Sequence, residues 1–595
     1  MKGRYIGENV RLLEEVLDYV EDNDIPCLMF FSDFEKAFDS VDHTYLLKTL
    51  QHFNFGNSFL RWIKTFYNGA NSCVLNNGFM TDCFKIKRGV RQGCPLSPYL
   101  FIIAIELLSN CISKQQDIKG ICMNNVEIKN TLFADDATFI TDGTKKYFES
   151  LIDVLDDFEK ITGLKLNDSK CNVLRAGASK TKTEIYRNQK AFQWSSNNAK
   201  ALGITFSTNR TLTLKLNLDP KIEEFKTCLK QWEHRKLTLL GKITVIKTFA
   251  LPKLIYPLTV LNSPSQATVK YINDIMYAFL WDNKPGKIKR EILTKDYDQG
   301  GIKMIDLQKF INSLKCSWVK RLLETNDENP LKNIYLEHLN KYGGKLIFEC
   351  NMSEIDINSY FKKNAFLKDI LNAWRTIFKT QLTSISYSSI IWNNSSIRSG
   401  HKPLFYRTWL EKGIQSYGDI FDLRTKTFYT FDMMQHLYGI PNTDYMKYLS
   451  LTNSIPPDAK LHIRDTNNTP PPTTNMLNKI LTCQKPTKLL YTYQIKLNEV
   501  EMKQTRKWET ILEDRNIPWN KIFQLTLDTT VDNKLRNFNY KYIMRIVRTN
   551  KELFKFSLVN STLCDFCSQT TETTYHLFWE CSHTQELWRN ILNIF

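Results

Sequence analysis

Apolar and polar positions along the first part of the chain predict a sheet. A continuous apolar run over residues 25–31 predicts a buried strand that ends just before Asp33. Two short apolar runs flank Asp135 and Asp136 within residues 131–141, and this pattern predicts a strand, a tight turn and a second strand. If both regions lie side by side in one sheet, Asp33 comes close to Asp135 and Asp136.

Helical periodicity separates these strands. Asp42 is a plausible N-cap for the apolar pattern that follows it, and Ser97 with Pro98 suits the N-cap and first position of a helix through residue 107. Residues 145–161 place apolar side chains on one face of a third helix.

Shorter patterns complete this region. Asn77 and Gly78 predict the turn of a β-hairpin whose return strand alternates over residues 84–87. Residues 201–206 resemble one more short strand. From residue 25 the order is strand, helix, hairpin, helix, hairpin, helix, strand, which indicates an α+β sheet packed on helices.

The adjacent carboxylates suggest chemistry. A simple reversal of the chain favours Asn-Gly or Asp-Gly, whereas Asp135 and Asp136 place two like charges together. Such a pair suits Mg²⁺, although a solvated acidic turn is the plain alternative. With Asp33 as a third carboxylate, the cluster could hold two divalent ions roughly 3.5 to 4 Å apart for an in-line phosphoryl displacement.

Composition narrows the class of partner. A chain of 595 residues with 42% hydrophobic residues is long enough for several globular domains. The net charge of +18 with 12% aromatic residues favours nucleic acid as the partner. A membrane partner is not expected, because the longest clean apolar run, residues 99–105, is far below the ~20 residues that span a bilayer. We find no signal-peptide pattern, and the mostly scattered cysteines favour a reducing compartment.

One group of cysteines is not scattered. Cys564, Cys567, His576 and Cys581 follow the spacing C-x2-C-x8-H-x4-C, which suits structural zinc with four protein ligands. His583 is a competing histidine beyond the last cysteine. Unrelated buried thiols are the alternative interpretation.

Four ordered motifs carry a family resemblance. They are Phe31-Ser32-Asp33 with Ala37-Phe38-Asp39, the segment 88–98 (Arg-Gly-Val-Arg-Gln-Gly-Cys-Pro-Leu-Ser-Pro), Phe133-Ala134-Asp135-Asp136, and Gly163-Leu164-Lys165-Leu166-Asn167. They resemble the palm motifs of reverse transcriptases of LINE-type non-LTR retrotransposons. Later segments resemble that family's thumb, and the cysteine cluster resembles its C-terminal zinc domain.

The resemblance implies roles at the metal site. Asp33, Asp135 and Asp136 would bind Mg²⁺, with the main-chain carbonyl of Phe34 as a further ligand. Lys170 matches the residue proposed to protonate the leaving pyrophosphate, although a solvated surface lysine is an equally simple interpretation.

It also implies roles at the nucleotide pocket. Phe38 stands where the family places a steric gate against a 2′-hydroxyl, whereas a core phenylalanine is the alternative. Gln92 and Gly93 match the loop that lines the pocket, and Arg91 would contact template or phosphate. A glycine-bearing loop before a helix is also common as a simple turn.

The implied fold is a right-hand polymerase palm with an α-helical thumb, an α-helical connector and a small C-terminal zinc-binding domain. We place the palm at residues 1–208, the thumb at 209–324, the connector with a Pro-rich linker at 325–475, and the C-terminal domain at 476–595. Basic positions interleaved with apolar ones in the thumb would follow the phosphates of a template–primer duplex.

The expected function is RNA-directed DNA synthesis onto a DNA primer 3′ end at the target site. The implied partners are an RNA template, a DNA primer or target, and deoxynucleoside triphosphates, and the oligomeric state stays open. Nuclear action with a cytoplasmic ribonucleoprotein stage follows from the family alone. Only 32 residues precede Asp33, so we expect that the family's endonuclease and most of its fingers are missing and that the polypeptide alone is slow. The alternative is a weak or inactive nucleic-acid-binding remnant.

Overall fold

The computed structural model describes residues 5–182, 191–324, 329–383, 385–422, 424–465, 476–497 and 501–594. The chain divides into two compact units. The first contains Met1–Pro220, Pro257–Ser263 and Lys315–Thr482, and the second contains Lys221–Tyr256, Pro264–Leu314 and Cys483–Phe595. The domain limits expected from the sequence remain predictions, and the Pro-rich linker lies outside the described residues.

A five-stranded sheet forms the centre of the first unit. Its strands are β1 (Cys27–Ser32), β2 (Asn130–Phe133), β3 (Asp136–Thr141), β4 (Asn172–Ala176) and β5 (Gln193–Ser195), in the spatial order β5-β4-β1-β3-β2. Strand β1 is antiparallel to both neighbours, and β4 is parallel to β5. Every residue of β1 is buried, as expected for a central strand that is covered on both faces.

Six helices precede or pack on this sheet. They are α1 (Ile6–Asp22), α2 (Ala37–Ser40), α3 (His43–His52), α4 (Asn57–Tyr67), α5 (Ser97–Lys114) and α6 (Lys145–Thr162). The predicted cap of α3 is confirmed, because the Asp42 carboxylate accepts hydrogen bonds from the amides of Thr44 and Tyr45 at 2.8 and 2.9 Å. The predicted start of α5 was one residue off, since Leu96 is the N-cap. The helix runs through residue 107, as predicted, and ends at Lys114.

The interior of the sheet is closely packed with aromatic side chains. Phe30 of β1 is fully buried, with ring centroids 6.2 Å from Phe139 and 4.9 Å from Phe192. Phe148 of α6 meets Phe30 edge to face at 6.0 Å. The alternating positions of β1 therefore fix which residues face the helices, and they leave Asp33 at the strand end.

Helix α1 departs from a simple amphipathic pattern, because several of its charged side chains are buried. The Arg11 guanidinium is 2% exposed and donates to Glu15 at 2.5 Å. Glu15 also accepts from the Tyr335 hydroxyl at 2.6 Å and from the Asn364 amide at 2.9 Å. This network links α1 to residues more than 300 positions later within the same unit.

One predicted hairpin turn is confirmed, whereas a later predicted strand is itself a hairpin. The first pairs Asn71–Ser72 with Phe84–Lys85 and Leu75–Asn76 with Phe79–Met80, and its predicted Asn77-Gly78 turn has positive φ at both residues. The predicted single strand over residues 201–206 was wrong. Asn198–Ala201 pairs with Ile204–Ser207, because Leu202 and Gly203 have positive φ and form a turn between them. A further hairpin pairs Ile121–Met123 with Val126–Ile128.

The first unit continues after residue 329 with a mostly helical part, which contains a second core between residues 350 and 463. Its helices are Pro330–Asn340, Glu354–Tyr360, Ala365–Thr383, Arg407–Glu411, Phe431–Tyr438, Tyr445–Ser454, Pro457–Asp465 and Met476–Thr482. Two hairpins interrupt them, Arg398–Ser399 with Lys402–Pro403 and Phe421–Asp422 with Thr427–Phe428. Buried Trp392 and Trp409 lie at the centre of this core. The expected purely helical connector therefore also contains strands.

The second unit contains helices and no named strand among its described residues. Its helices are Leu239–Val245, Ile246–Ala250, Gln266–Trp281, Arg290–Leu293, Pro486–Lys496, Lys503–Leu512, Trp519–Asp528, Asn533–Ile543, Asn550–Lys555, His576–Glu580 and Ser582–Leu592. Three helices cross the division between the units: Arg210–Glu233, Pro252–Val260 and Leu307–Leu323. The range expected to be a thumb is thus helical.

The described helices do not span a bilayer one by one, because none of them is by itself both long and apolar enough. Leu239–Ala250 and Pro252–Val260 meet the length and composition only when they are taken together.

We predict that Phe30→Ala lowers the free energy of unfolding of the sheet by about 3–5 kcal/mol, because the truncation opens a cavity at a fully buried position. Hydrogen exchange of the β1 and β3 amides measures this change. Phe79→Ala is the matched control, since Phe79 is 82% exposed and its loss should change stability by less than about 0.5 kcal/mol. Equal effects of the two variants would contradict the packing described above.

Candidate active site and metal centre

The register of β1 and β3 brings the acidic residues together. Ser32 pairs with Ala137, and its hydroxyl donates to the Ala137 carbonyl at 2.9 Å. One step further along the antiparallel pair, Asp33 lies opposite Asp136. Asp135 occupies the turn between β2 and β3, beside Ala134 with φ +54°. Asp33 and the adjacent pair Asp135 and Asp136, about 100 residues later, therefore lie at the same end of the sheet.

Asp136 lies close enough to the other two carboxylates for their charges to affect its pKa. Partial loss of solvation raises the pKa of Asp136, and the charges of Asp135 and Asp33 raise it further. Such an oxygen-rich, mutually repelling set fits a divalent cation, which favours the ionised forms. Within the described residues, however, the aspartates do not form a preassembled group of closely spaced ligands. Repulsion between like charges favours this open arrangement.

The segment after α6 forms backbone hydrogen bonds with the chain at and just after Asp33. The Asn167 amide donates to the Asp33 carbonyl, and the Glu35 amide donates to the Lys165 carbonyl, both at 2.8 Å. Because donors and acceptors alternate along an extended strand, these bonds direct the Phe34 carbonyl to the opposite side, where β3 lies. That direction suits the metal-ligand role implied for Phe34.

Lys170 lies next to the acidic cluster. Its Nζ is 3.8 Å from Asp33 Oδ2, and its side chain is 69% exposed. The structure thus places a cation at the edge of the cluster, although an exposed ion pair of this kind contributes little to stability.

The glycine-bearing loop packs against α2 and Phe38. The Val90 amide donates to the Phe38 carbonyl at 2.7 Å, and the Gln92 side chain donates to the Asp39 carboxylate at 3.2 Å. Gly89 has φ +92°, and a Cβ there would lie 2.7 Å from the Asp39 carbonyl oxygen. Glycine is therefore required for this close approach.

Of the other pocket residues, Phe38 is half-buried, whereas Arg91 and Gly93 are exposed. Phe38 is half-buried, with its ring stacked 4.5 Å from the buried ring of Phe101. Arg91 is exposed and donates to the Phe66 carbonyl at 3.4 Å, and Gly93 is also exposed with φ +83°. The Gln92 side chain contacts α2, the helix that carries Phe38, whereas the Arg91 side chain is turned toward α4.

Sequence reasoning missed two supporting residues. Asp39 holds Gln92, and it could have been suspected because it ends the same motif as Phe38. The Cys171 thiol accepts from the Asp33 amide at 3.4 Å and is fully buried. No local pattern distinguishes Cys171 from any other core thiol.

The cysteine and histidine cluster forms a second site, in the second unit. One ligand atom from each of Cys564, Cys567, His576 and Cys581 lies within 4.8 Å of the other three. The Sγ atoms of Cys564 and Cys581 are 3.9 Å apart, and Cys567 Sγ is 3.4 Å from His576 Nε2. The competing His583 is exposed in the following helix.

The surroundings of this cluster favour a bound metal. Backbone hydrogen bonds from Gln569 and Thr570 lower the pKa of the Cys567 thiol to about 6, so its thiolate forms readily at neutral pH. Burial raises the pKa of Cys564. The Thr570 hydroxyl contacts the ring of His576, 3.0 Å from Nδ1 and 3.1 Å from Nε2, and Nε2 is also the ring nitrogen beside Cys567 Sγ. Three cysteine sulfur atoms and one imidazole suit a zinc-type tetrahedral site.

We predict that iodoacetamide modifies Cys567 before Cys564 when the protein is kept metal-free at pH 7. The lowered pKa means that the rate at Cys567 rises as pH increases through about 6 and then levels off, while buried Cys564 stays a thiol. Peptide mass spectrometry measures both rates. Added Zn²⁺ should protect both thiols, and faster modification of Cys564 in the metal-free protein would contradict this electrostatic picture.

Two family models match the parts of the chain that contain these sites. Residues 5–206 match the family model for reverse transcriptase (RNA-dependent DNA polymerase), and residues 503–588 match the model for zinc-binding in reverse transcriptase.

Three curated relatives are similar over part of the chain. The transposon TX1 uncharacterized 149 kDa protein of Xenopus laevis is 27% identical over 54% of this chain and 24% of its own length. The Pol polyprotein from the type-2 retrotransposable element R2DM of Drosophila melanogaster is 26% identical over 56% and 30%. The RNA-directed DNA polymerase from mobile element jockey of Drosophila funebris is 26% identical over 39% and 25%. The match therefore spans between a quarter and a third of these relatives.

Among solved structures, apo telomerase from Candida tropicalis is similar over 56% of both chains, with 14% identity and a TM-score of 0.30.

Fold and site together define the class of protein. The antiparallel sheet end with its acidic cluster lies in the region that matches the reverse transcriptase model. Residues 5–206 are a reverse transcriptase domain, and the chain is similar over part of its length to proteins of the TX1 and R2 elements. Such a domain implies the use of a divalent metal, and the C-terminal cluster lies in residues 503–588, which match the zinc-binding model.

Proposed function

We propose that this chain is an RNA-directed DNA polymerase that adds deoxynucleotides to the 3′ end of a DNA primer at a target site. The observation that carries the proposal is the pairing of Ser32 with Ala137, because it sets Asp33 beside Asp136 and next to the turn that holds Asp135. The RNA template, the DNA primer or target and the deoxynucleoside triphosphates are the proposed partners.

The acidic cluster would hold two Mg²⁺ ions. Asp33, Asp135 and Asp136 supply carboxylate oxygens, and Phe34 supplies a main-chain carbonyl. When bound, the ions favour ionisation of the primer hydroxyl and offset charge on the leaving pyrophosphate. Protonation of Asp136 competes with this binding, since its pKa is raised.

Neighbouring side chains position the nucleotide. Phe38 would lie beneath the sugar and exclude a 2′-hydroxyl, while Gln92, held by Asp39, lines the pocket with Gly93. Arg91 contacts template or phosphate. Lys170 holds a proton at Nζ close to Asp33, where it can be transferred to the leaving pyrophosphate.

The cysteine cluster would bind one Zn²⁺ through Cys564, Cys567, His576 and Cys581. All four positions are filled by protein, so the ion has a structural role. We further propose that the protein acts in the nucleus after a cytoplasmic ribonucleoprotein stage, as the retroelement relationship suggests.

A second candidate function is non-catalytic binding of nucleic acid. The net charge of +18 and the zinc-binding match over residues 503–588 favour it, because both serve binding without chemistry. In this alternative the basic residues and the zinc domain bind nucleic acid, and no nucleotide is added to a primer.

We predict that Asp135→Ala combined with Asp136→Ala lowers primer extension by about 100-fold or more and leaves RNA affinity within about twofold, because only charge stabilisation at the reacting phosphate is lost. Extension of a DNA primer on an RNA template with Mg²⁺ measures this. Asp117→Ala is the control, since Asp117 is a solvent-exposed carboxylate outside the cluster. If the unsubstituted protein and the double variant both bind RNA and neither extends the primer, the second candidate function is favoured.

We also predict that Phe38→Ala increases ribonucleotide incorporation relative to deoxynucleotide incorporation by about tenfold or more, because removal of the ring opens space for a 2′-hydroxyl. Competing nucleotides in the same extension assay give the ratio. Phe38→Tyr keeps the ring and should keep the selectivity. An unchanged ratio in the alanine variant would assign Phe38 to the core, where it stacks on Phe101.

A further inference from the structure

A cavity of about 360 Å³ lies within the second unit, separate from the zinc cluster. Three stretches of chain line it, residues 237–242, 280–287 and 537–548. Its volume falls in the range of sites that take a small ligand or one unit of a polymer. Its walls are tied together by the Asn537 carboxamide, which accepts from the Leu239 amide at 3.2 Å.

The lining is strongly basic. Lys242 is 5% exposed and lies 2.5 Å from Asp282 Oδ1, so these two charges offset each other. Four further cations line the same cavity: Lys284, Lys287, Lys541 and Arg548. Asp282 is the single carboxylate in the lining, and Lys242 already neutralises it.

The four cations act on one another. Burial lowers the pKa of Lys287, and the charges of Arg548, Lys541 and Lys284 lower it further. The charge of Glu552 acts in the opposite direction and raises the pKa of Lys287. Lys287 also donates to the Ile546 carbonyl at 3.3 Å, which fixes its ammonium group at the cavity wall. Like charges held this close attract an anion.

Two aromatic side chains complete the lining. Trp281 and Phe538 belong to the helices on either side, and Phe538 is 41% exposed. Cations that track phosphates beside exposed aromatic rings are the combination that binds single-stranded nucleic acid, because every base has a face that can stack. A simple inorganic anion would make no use of the rings.

We propose that this cavity binds one nucleotide unit of a single-stranded nucleic acid, with its phosphates at Lys284, Lys287, Lys541 and Arg548 and its base against Trp281 or Phe538. The proposal does not depend on polymerase activity, since none of these residues belongs to the acidic cluster. RNA and DNA strands share this chemistry, and the experiment distinguishes them.

The test uses the full chain and fluorescein-labelled oligouridylate and oligothymidylate of about 16 nucleotides, a length that covers one binding groove. Fluorescence anisotropy is measured over a range of salt concentrations. For Lys541→Ala combined with Arg548→Ala, we expect the slope of log affinity against log salt to fall by about 1.4, at about 0.7 for each lost phosphate contact. We expect Phe538→Ala to weaken binding by about fivefold or more with an unchanged slope.

The matched control is Lys270→Ala combined with Lys521→Ala, which removes two exposed charges of the same unit outside the cavity. An equal fall in slope for this control would overturn the proposal, because net charge alone would then explain binding. Lys284 lies on an exposed loop, so the variant Lys284→Gln gives a second test if the double variant fails to fold.

Two further outcomes are decisive. In the first outcome, uridine monophosphate binds with the same affinity as the oligonucleotides, and the double variant abolishes this binding. The cavity would then be a site for free nucleotides, and the proposal would be overturned. A larger effect of the variants on oligouridylate than on oligothymidylate would assign the bound strand to RNA, and the reverse would assign it to DNA.

Discussion

Strand β1 sits between two antiparallel neighbours, and its register governs the rest of the palm. Pairing with β3 on one side and β4 on the other fixes Ser32 opposite Ala137 and Phe31 opposite Asn172. Because side chains alternate with a period of two, a slip by one residue would turn Phe30 to the opposite face of the sheet, away from Phe148, and would move Asp33 away from Asp136. Packing of the aromatic core and placement of the carboxylates are therefore one constraint.

The charges buried around α1 have a different role from those at the sheet end. Arg11 and Glu15 are fully hydrogen-bonded to each other, to Tyr335 and to Asn364, so their charges are compensated inside the protein. The carboxylates of Asp33, Asp135 and Asp136 repel one another, and their mutual influence appears as the raised pKa of Asp136. A compensated network stabilises a fold, whereas an uncompensated one is suited to a ligand of opposite charge.

Local patterns predicted the parts of this structure that depend on neighbours in sequence. The strand before Asp33, the cap at Asp42 and the Asn77-Gly78 turn each follow from a few adjacent residues. The spacing of the zinc ligands is equally local, and the structure draws His576 rather than His583 into the group.

Local patterns do not predict the features that distant residues decide. The buried Arg11 donates to Tyr335 and its partner Glu15 accepts from Asn364, and no periodicity within α1 reveals partners so far along the chain. Leu202 takes positive φ against its ordinary preference, so an apolar run that suggested one strand folds as two. The basic cavity of the second unit is likewise assembled from three stretches, none of which is distinctive alone.

The hairpin around Asn77 and Gly78 has a practical consequence. Leu75, Phe79 and Met80 are 71%, 82% and 68% exposed, so the tip makes little contact with the core. Lengthening a surface turn costs little free energy, because loop-closure entropy grows only slowly with length. An affinity epitope or a fluorescent label inserted between Asn77 and Gly78 would therefore report on the palm without unfolding it.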